Sequence, residues 1–248
     1  MTRYEGSSQN TIDPDEVERF ARLSRSWWDP AGEFAPLHRL NPVRLGFIRD
    51  RLVRQFGRDA RAFEAFAGLS LLDIGCGGGI IAEPMARMGF AVTAIDADAT
   101  AIAVARAHAA EAGLAIDYRA AAVETLAPDP GYDAVLALEI VEHVSDTRAF
   151  LVAAARQVRP GGALIVATIN RTARALALGI IGAEYVLRWL PRGTHRWDRF
   201  VRPSEIAAGL RAGGMAVREI CGVSFDPRRG WALGSDLSIN YLTFANKP

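Results

Sequence analysis

The sequence predicts an α/β fold, a mostly parallel sheet of seven strands with helices on both faces, and three observations carry that prediction. From Leu69 onward, short apolar runs alternate with amphipathic stretches, the pattern of parallel strands joined by helical crossovers. The first run leads into a turn with four glycines in five positions, Gly75-Cys76-Gly77-Gly78-Gly79. The second ends in an acid, Asp96, about 20 residues past the glycine turn, the spacing of a nucleoside-binding crossover.

Order is expected to begin at Asp13, with residues 1–12 a loose polar tail. Asp13 can cap a helix, Pro14 suits its first position, and Glu16 can close a capping box. Val17, Phe20, Ala21, Trp27 and Trp28 then recur at helical spacing. Asn41-Pro42 reads as the start of a second helix carrying Leu45, Ile48, Leu52 and Phe56 on one side. Residues 13–67 are therefore expected to form a helical lid on a single domain spanning 13–248.

The strands expected are Leu69 to Ile74, Ala91 to Ile95, Ala115 to Tyr118, Ala134 to Leu138, Ala163 to Ile169, Ala216 to Val223 and Ile239 to Ala245. Ala99 to Ala112, capped by Asp98, and Thr147 to Val158 are the clearest intervening helices. No helical pattern separates the last two strands, so they are expected to run antiparallel at the sheet edge. One segment breaks the alternation. Residues 171–202 combine an apolar stretch with seven arginines against two acids, a balance of +5, and an insertion of that size in a compact domain is more often functional than filler.

Composition narrows the function. The chain has 248 residues, half of them hydrophobic and 23% charged, which suits one globular unit and excludes a collagen-like or disordered chain. A net charge of +1 argues against a nucleic-acid partner, which would call for a basic excess. Cys76 and Cys221 are too few and too far apart for a disulfide framework, so a reducing, cytoplasmic setting is expected. The first ten residues lack the apolar core of a secretory signal, and no run reaches the ~18 apolar residues of a spanning helix.

The glycine turn is the strongest chemical signal. A dinucleotide fingerprint counted from Gly75 needs a third glycine where Ile80 stands, which weakens a nicotinamide reading. The residues instead read D-x-G-x-G-x-G from Asp73 to Gly79. Asp96 can accept hydrogen bonds from both hydroxyls of a ribose. The fourth strand ends in Leu138-Glu139-Ile140-Val141-Glu142-His143-Val144, at the sheet end where substrates bind. Glutamate and histidine there suit a divalent ion that could hold a catecholate, or they begin a loop with local hydrogen bonds.

The D-x-G-x-G-x-G turn resembles the first motif of the Rossmann-like S-adenosylmethionine-dependent methyltransferases. Trp28-Asp29-Pro30, Phe34 to Ile48, Leu138 to Val144, Gly182-Ala183-Glu184-Tyr185, Gly193-Thr194-His195 and Asn240-Tyr241 together resemble the ubiquinone-biosynthesis O-methyltransferases, over residues 13 to 245. That resemblance implies methylation of ring hydroxyls on polyprenylated phenol or catechol intermediates. Carried over by position, it implies that Arg44 holds the methionine carboxylate, Gly75 and Gly77 admit the methionyl part, Asp96 takes the ribose, Val123 faces the adenine, and Leu138 lines the pocket. It further implies magnesium (Mg2+) ligands at Glu139, Glu142 and His143. The acceptor proton would then go to a metal-held species or to His143 acting as base.

Residues 171–202 are expected to lie at an anionic membrane surface, because Trp189, Trp197 and the arginines flank an apolar stretch. This would place the protein peripherally at the inner face of the membrane, within reach of a ubiquinone-pathway protein complex. Two rivals stay open: an O-methyltransferase for a soluble acceptor, and a noncatalytic subunit of such a complex. His195 receives no role from the sequence.

Overall fold

The computed structural model describes residues 11–23, 26–32, 34–127, 131–177, 197–226, 228 and 230–248. Eight strands form one sheet: β1 (Ser70–Ile74), β2 (Ala91–Asp96), β3 (Asp117–Ala120), β4 (Tyr132–Leu138), β5 (Val158–Ile169), β6 (Ala216–Asp226), β7 (Gly230–Gly234) and β8 (Asn240–Asn246). Their order is β3-β2-β1-β4-β5-β8-β6-β7. The first five pair in parallel. β8 runs antiparallel between β5 and β6, and β7 folds back on β6.

The α/β class holds, and the strand count rises from seven to eight because β7 escapes the sequence pattern. Gly230-Trp231-Ala232-Leu233-Gly234 lies at the sheet edge, half-buried to exposed, so neither alternation nor a continuous apolar run marks it. The two strands without a helix between them are indeed antiparallel neighbours, β6 and β8.

Seven helices are described: α1 (Pro14–Leu23), α2 (Ala35–Phe56), α3 (Ala82–Arg87), α4 (Ala99–Glu111), α5 (Thr147–Arg156), α6 (Ala173–Ala175) and α7 (Pro203–Ala212). The strands alternate faces, so each residue step sends a side chain to the opposite layer. Leu136, Ile165 and Leu242 pack with α2, α3 and α4. Val135, Leu164 and Val166 pack with α5 and α7 on the other face. Asp98 and Asp146 cap α4 and α5 through the Thr100 and Ala149 N–H groups, as Asp98 was expected to do.

Three expectations for the N-terminal third need correction. Residues 11 and 12 are not loose: Thr11 is buried, its hydroxyl bonds Glu124, and its carbonyl accepts from the Ser145 N–H and hydroxyl. α2 starts at Ala35, with Pro36 in its first turn, so Asn41-Pro42 lies inside the helix and the Pro42 ring faces outward. Gly57 ends that helix in a left-handed conformation, φ 61°, its N–H on the Val53 carbonyl, a common C-terminal arrangement. Residues 13–67 are also not all lid, since Phe47, Ile48 and Leu52 on α2 are fully buried in the core under the sheet. The segment 171–202 is described only at its ends. Arg171 donates to both oxygens of Glu205 (3.0 and 2.8 Å) and Arg174 pairs with Asp236. Its apolar stretch past Ala177, Trp189 and His195 lie outside the described residues, as do residues 1–10.

Because Leu52 sits in the core rather than in a detachable lid, Leu52→Ala should destabilise the fold by about 2–5 kcal/mol. Urea unfolding would register this as a lower midpoint with little change in slope; a loss below 1 kcal/mol would return α2 to the lid.

Candidate active site

The strand order reverses beside β1, and its carboxyl end is where a ligand crevice forms in such sheets. The chain leaves β1 through the glycine turn. Gly75 and Cys76 donate their N–H groups to the Ile95 carbonyl (2.8 and 3.0 Å), and Gly77 donates to Asp96 Oδ2 (2.8 Å). Asp96 Oδ1 accepts the Asp98 N–H at 2.9 Å. Each carboxylate oxygen thus takes one backbone donor, which fixes the rotamer and leaves further acceptor sites for a diol. Gly75 and Gly77 have φ of 74° and 51°, a region that side chains resist. A Cβ on Gly75 would crowd Ile140 (2.8 Å), and one on Gly77 would collide with the Trp27 ring.

The N-terminal segment roofs this turn. Trp27 lies over Gly77 and Gly78 and stacks on Phe34 at 3.7 Å and 9°. Trp28 donates to the Gly78 carbonyl (2.9 Å) and stacks on His108, which is itself bonded to Glu83. Between roof and sheet lies a cleft open to solvent, lined by the glycine turn, Asp96, Val123, Glu139 and His143. Among the described residues, six that line it are carboxylic acids, Asp13, Glu16, Asp96, Asp98, Glu124 and Glu139, and none is Arg or Lys. Such a wall attracts a cation and repels a phosphorylated ligand. Trp27 Nε1 is buried with no hydrogen-bond partner among the described residues, leaving a donor for a ligand on the same wall.

Opposite Asp96, the chain turns sharply after β4. The Glu139 N–H still pairs with the Ala167 carbonyl (2.9 Å), but its φ is 53°, and it is the non-glycine residue with positive φ among those described. A strained backbone at a cleft wall is typical of functional positions. The turn aims Glu139 and His143 at the cleft and sends Glu142 inward. His143 Nδ1 lies 2.8 Å from Glu16 Oε2, joining the loop to α1, so Glu16 commits an oxygen to His143 rather than serving only the expected capping box.

Gly75, Gly77, Asp96, Val123, Glu139 and His143 all line the cleft, whereas Arg44, Leu138 and Glu142 do not. Leu138 points into the core below the sheet. Arg44 is buried, its Nη2 contacting Glu139 Oε1 at 2.6 Å without hydrogen-bond alignment. The sequence reading missed Glu16, Thr11 and Trp27, whose cleft positions arise only from folding: Glu16 read as a capping-box acid, and Trp27 as part of an apolar helical face, although α1 ends at Leu23 and Trp27 follows it.

The expected magnesium set does not fit this arrangement. Its three members face different partners: Glu139 meets Arg44, Glu142 accepts from Thr168 Oγ1 (2.7 Å), and His143 meets Glu16. Burial, then the Glu139 charge, pushes the Glu142 carboxyl up to about 8. Among the described residues no three His, Cys, Asp or Glu side chains converge on a point that could hold a metal ion. Both cysteines are free, and burial pushes the Cys76 thiol up, which makes it unreactive.

Comparison with known proteins places this geometry. A family model described as a methyltransferase domain matches residues 72–166. A protein from Azorhizobium caulinodans named ubiquinone biosynthesis O-methyltransferase is 55% identical over 235 residues, covering 94% of this chain and 92% of its own. One of the same name from Paramagnetospirillum magneticum is 51% identical, covering 96% of each chain. Among solved structures, a magnesium protoporphyrin IX methyltransferase from Synechocystis PCC 6803 with bound S-adenosylhomocysteine superposes with a TM-score of 0.63 at 19% identity, covering 93% of this chain and 95% of that one. An N-methyltransferase from Bradyrhizobium japonicum WM9, also with S-adenosylhomocysteine, gives 0.59 at 16%, covering 97% and 100%. At these identities the structural likeness speaks for the fold alone.

Behind the glycine turn, Asp73 is buried and its Oδ2 has no hydrogen-bond partner among the described residues. Burial, then the Asp96 charge, pushes its carboxyl from 3.8 up to about 7. Between those values the unfolded chain has lost a proton that the folded chain keeps, so stability falls as pH rises through this window. Asp73→Asn removes the ionisation. In urea titrations of the ligand-free protein the variant should gain on the parent by on the order of 3 kcal/mol from pH 4 to pH 8; parallel pH profiles would show that Asp73 ionises normally.

Proposed function

The chain belongs to the ubiquinone biosynthesis O-methyltransferases, and from that membership we propose how its own residues carry the reaction. It is an S-adenosylmethionine-dependent enzyme that methylates a hydroxyl oxygen. The observation that carries the reading is the acid-lined cleft against the glycine turn. S-adenosylmethionine, when bound, supplies a methyl group activated on a positively charged sulfur.

Asp96 would hold the ribose hydroxyls with the acceptor sites its two backbone donors leave open. Gly75 and Gly77 admit the chain of the cofactor where no side chain could stand, and Val123 meets the adenine. Arg44 is the group we assign to the methionine carboxylate: it sits behind the cleft wall against Glu139 with no aligned acceptor at Nη2, and would have to exchange Glu139 for the ligand carboxylate. Leu138 supports the pocket from the core side. The acidic wall, Glu139 included, favours the sulfonium over the neutral thioether left after transfer, which helps product exchange for substrate.

The acceptor is a polyprenylated phenol or catechol, whose hydroxyl must lose its proton as the oxygen attacks. His143 is the base we assign, since it lines the cleft and its Nδ1 is held by Glu16. His143→Gln should lower methyl transfer to a short-tail catechol by ~10²–10⁴, the usual contribution of a general base, with affinity for S-adenosylhomocysteine retained. Parent-level turnover in that variant would remove His143 from the chemistry. A soluble acceptor is the competing reading, and the two separate on whether activity rises with isoprenoid tail length.

A prenylated acceptor resides in a bilayer, and no helix among the described residues is long and apolar enough to cross one. We therefore place the enzyme peripherally, at the inner face of the cytoplasmic membrane beside other proteins of the pathway. The support is compositional: the apolar, tryptophan-bearing and arginine-rich segment 171–202 suits an anionic interface. Co-sedimentation with vesicles should increase with anionic lipid and fall with salt, as screening over about 10 Å at 0.1 M predicts. Equal, weak sedimentation with anionic and neutral vesicles would leave the segment as a roof only.

A further inference from the structure

We propose that Glu16 is the positioning residue of the transfer, orienting His143 from the N-terminal helix; this rests on His143 being the base. The two side chains meet across 127 residues of sequence, Glu16 Oε2 to His143 Nδ1 at 2.8 Å, and each is 13% exposed. A carboxylate accepts and cannot donate, so the contact places the ring proton on Nδ1 and makes Nε2 the basic nitrogen. The other acids near this ring have different tasks. Glu139 pairs with Arg44, Glu142 is held by Thr168, Glu124 bonds Thr11, and Asp13 pairs with Arg199 at 2.7 Å.

Two features of the fold support a specific role rather than a chance ion pair. α1 lies outside residues 72–166, the stretch that matches a general methyltransferase domain. Glu16 is therefore contributed by an extension, as fits a need particular to hydroxyl acceptors, whose proton must be taken up. The chain is also anchored just before α1, by Thr11 against Glu124 and Ser145 and by Asp13 against Arg199. The same seating that roofs the cleft brings the carboxylate to the imidazole, so the base is completed when the cleft is covered.

Turnover and cofactor affinity of Glu16→Gln, Glu16→Asp, His143→Gln and the double variant test this. Glu16→Gln should lower kcat ~10-fold or more, the usual cost of losing a histidine's orienting partner, with S-adenosylhomocysteine affinity and acceptor KM within about threefold of the parent. Glu16→Asp should recover part of the loss. Adding Glu16→Gln to His143→Gln should cost nothing further, because residues acting as a unit are not additive. Parent-level kcat in Glu16→Gln, or the same fold loss in both backgrounds, overturns the proposal. Retained activity in His143→Gln would instead overturn the base assignment on which it rests. Unaltered S-adenosylhomocysteine binding certifies that each variant is folded.

Discussion

The architecture of this site depends on one hydrogen-bonded junction, where the glycine turn is laid across the end of β2. Gly75 and Cys76 are tied to the Ile95 carbonyl and Gly77 to Asp96. These bonds convert the strand-order reversal beside β1 into a cradle with defined walls. Glycine is required at Gly75 and Gly77, where the backbone takes positive φ and where Ile140 and Trp27 crowd the Cβ position. The same junction immobilises the Asp96 carboxylate, so the group we propose for a diol is oriented before any ligand arrives.

Electrostatics then selects the ligand. A glycine turn after a strand is shared with dinucleotide-binding folds, and backbone geometry alone would not separate a phosphorylated cofactor from a sulfonium. Among the described lining residues, six are carboxylic and none is Arg or Lys, although Asp13 and Glu139 are paired with Arg199 and Arg44; such a wall favours the sulfonium. Arg44 lies behind that wall against Glu139, close enough to moderate the acidic field without lining the cleft. The buried Asp73 and Glu142 lie behind that wall, their carboxyls pushed up to about 7 and about 8, which limits how much negative charge accumulates there at neutral pH.

What the sequence reveals is set by the range of each signal. Asp96, Gly75 and Gly77 were legible because strand, turn and acid lie within one crossover. His143 was legible because a parallel strand places whatever follows it at the ligand end of the sheet. The core strands were legible because burial on both faces leaves continuous apolar runs, whereas edge strand β7 has too little burial to leave one. Asn41-Pro42 misled because a proline is tolerated inside α2 on its exposed side, while Pro36 holds the true first turn. Glu16 and Trp27 carry no local mark of function; they meet His143 and Gly77 through tertiary packing, and no spacing rule spans 127 residues. Glu139, Glu142 and His143 are not gathered on one point for a related reason: three donors within five residues of sequence are sent to three different partners by one tight turn.

The central claim is that the junction at Asp96 forms the nucleoside end of an S-adenosylmethionine site. Calorimetric titration of the parent and of Asp96→Ala with S-adenosylhomocysteine addresses it directly. The parent should bind one equivalent per chain, and the variant should bind more weakly by ~1.5–3 kcal/mol, the range for hydrogen bonds to a charged group. Equal affinity in a variant that unfolds at the parent's temperature would contradict the account and move the nucleoside elsewhere in the cleft.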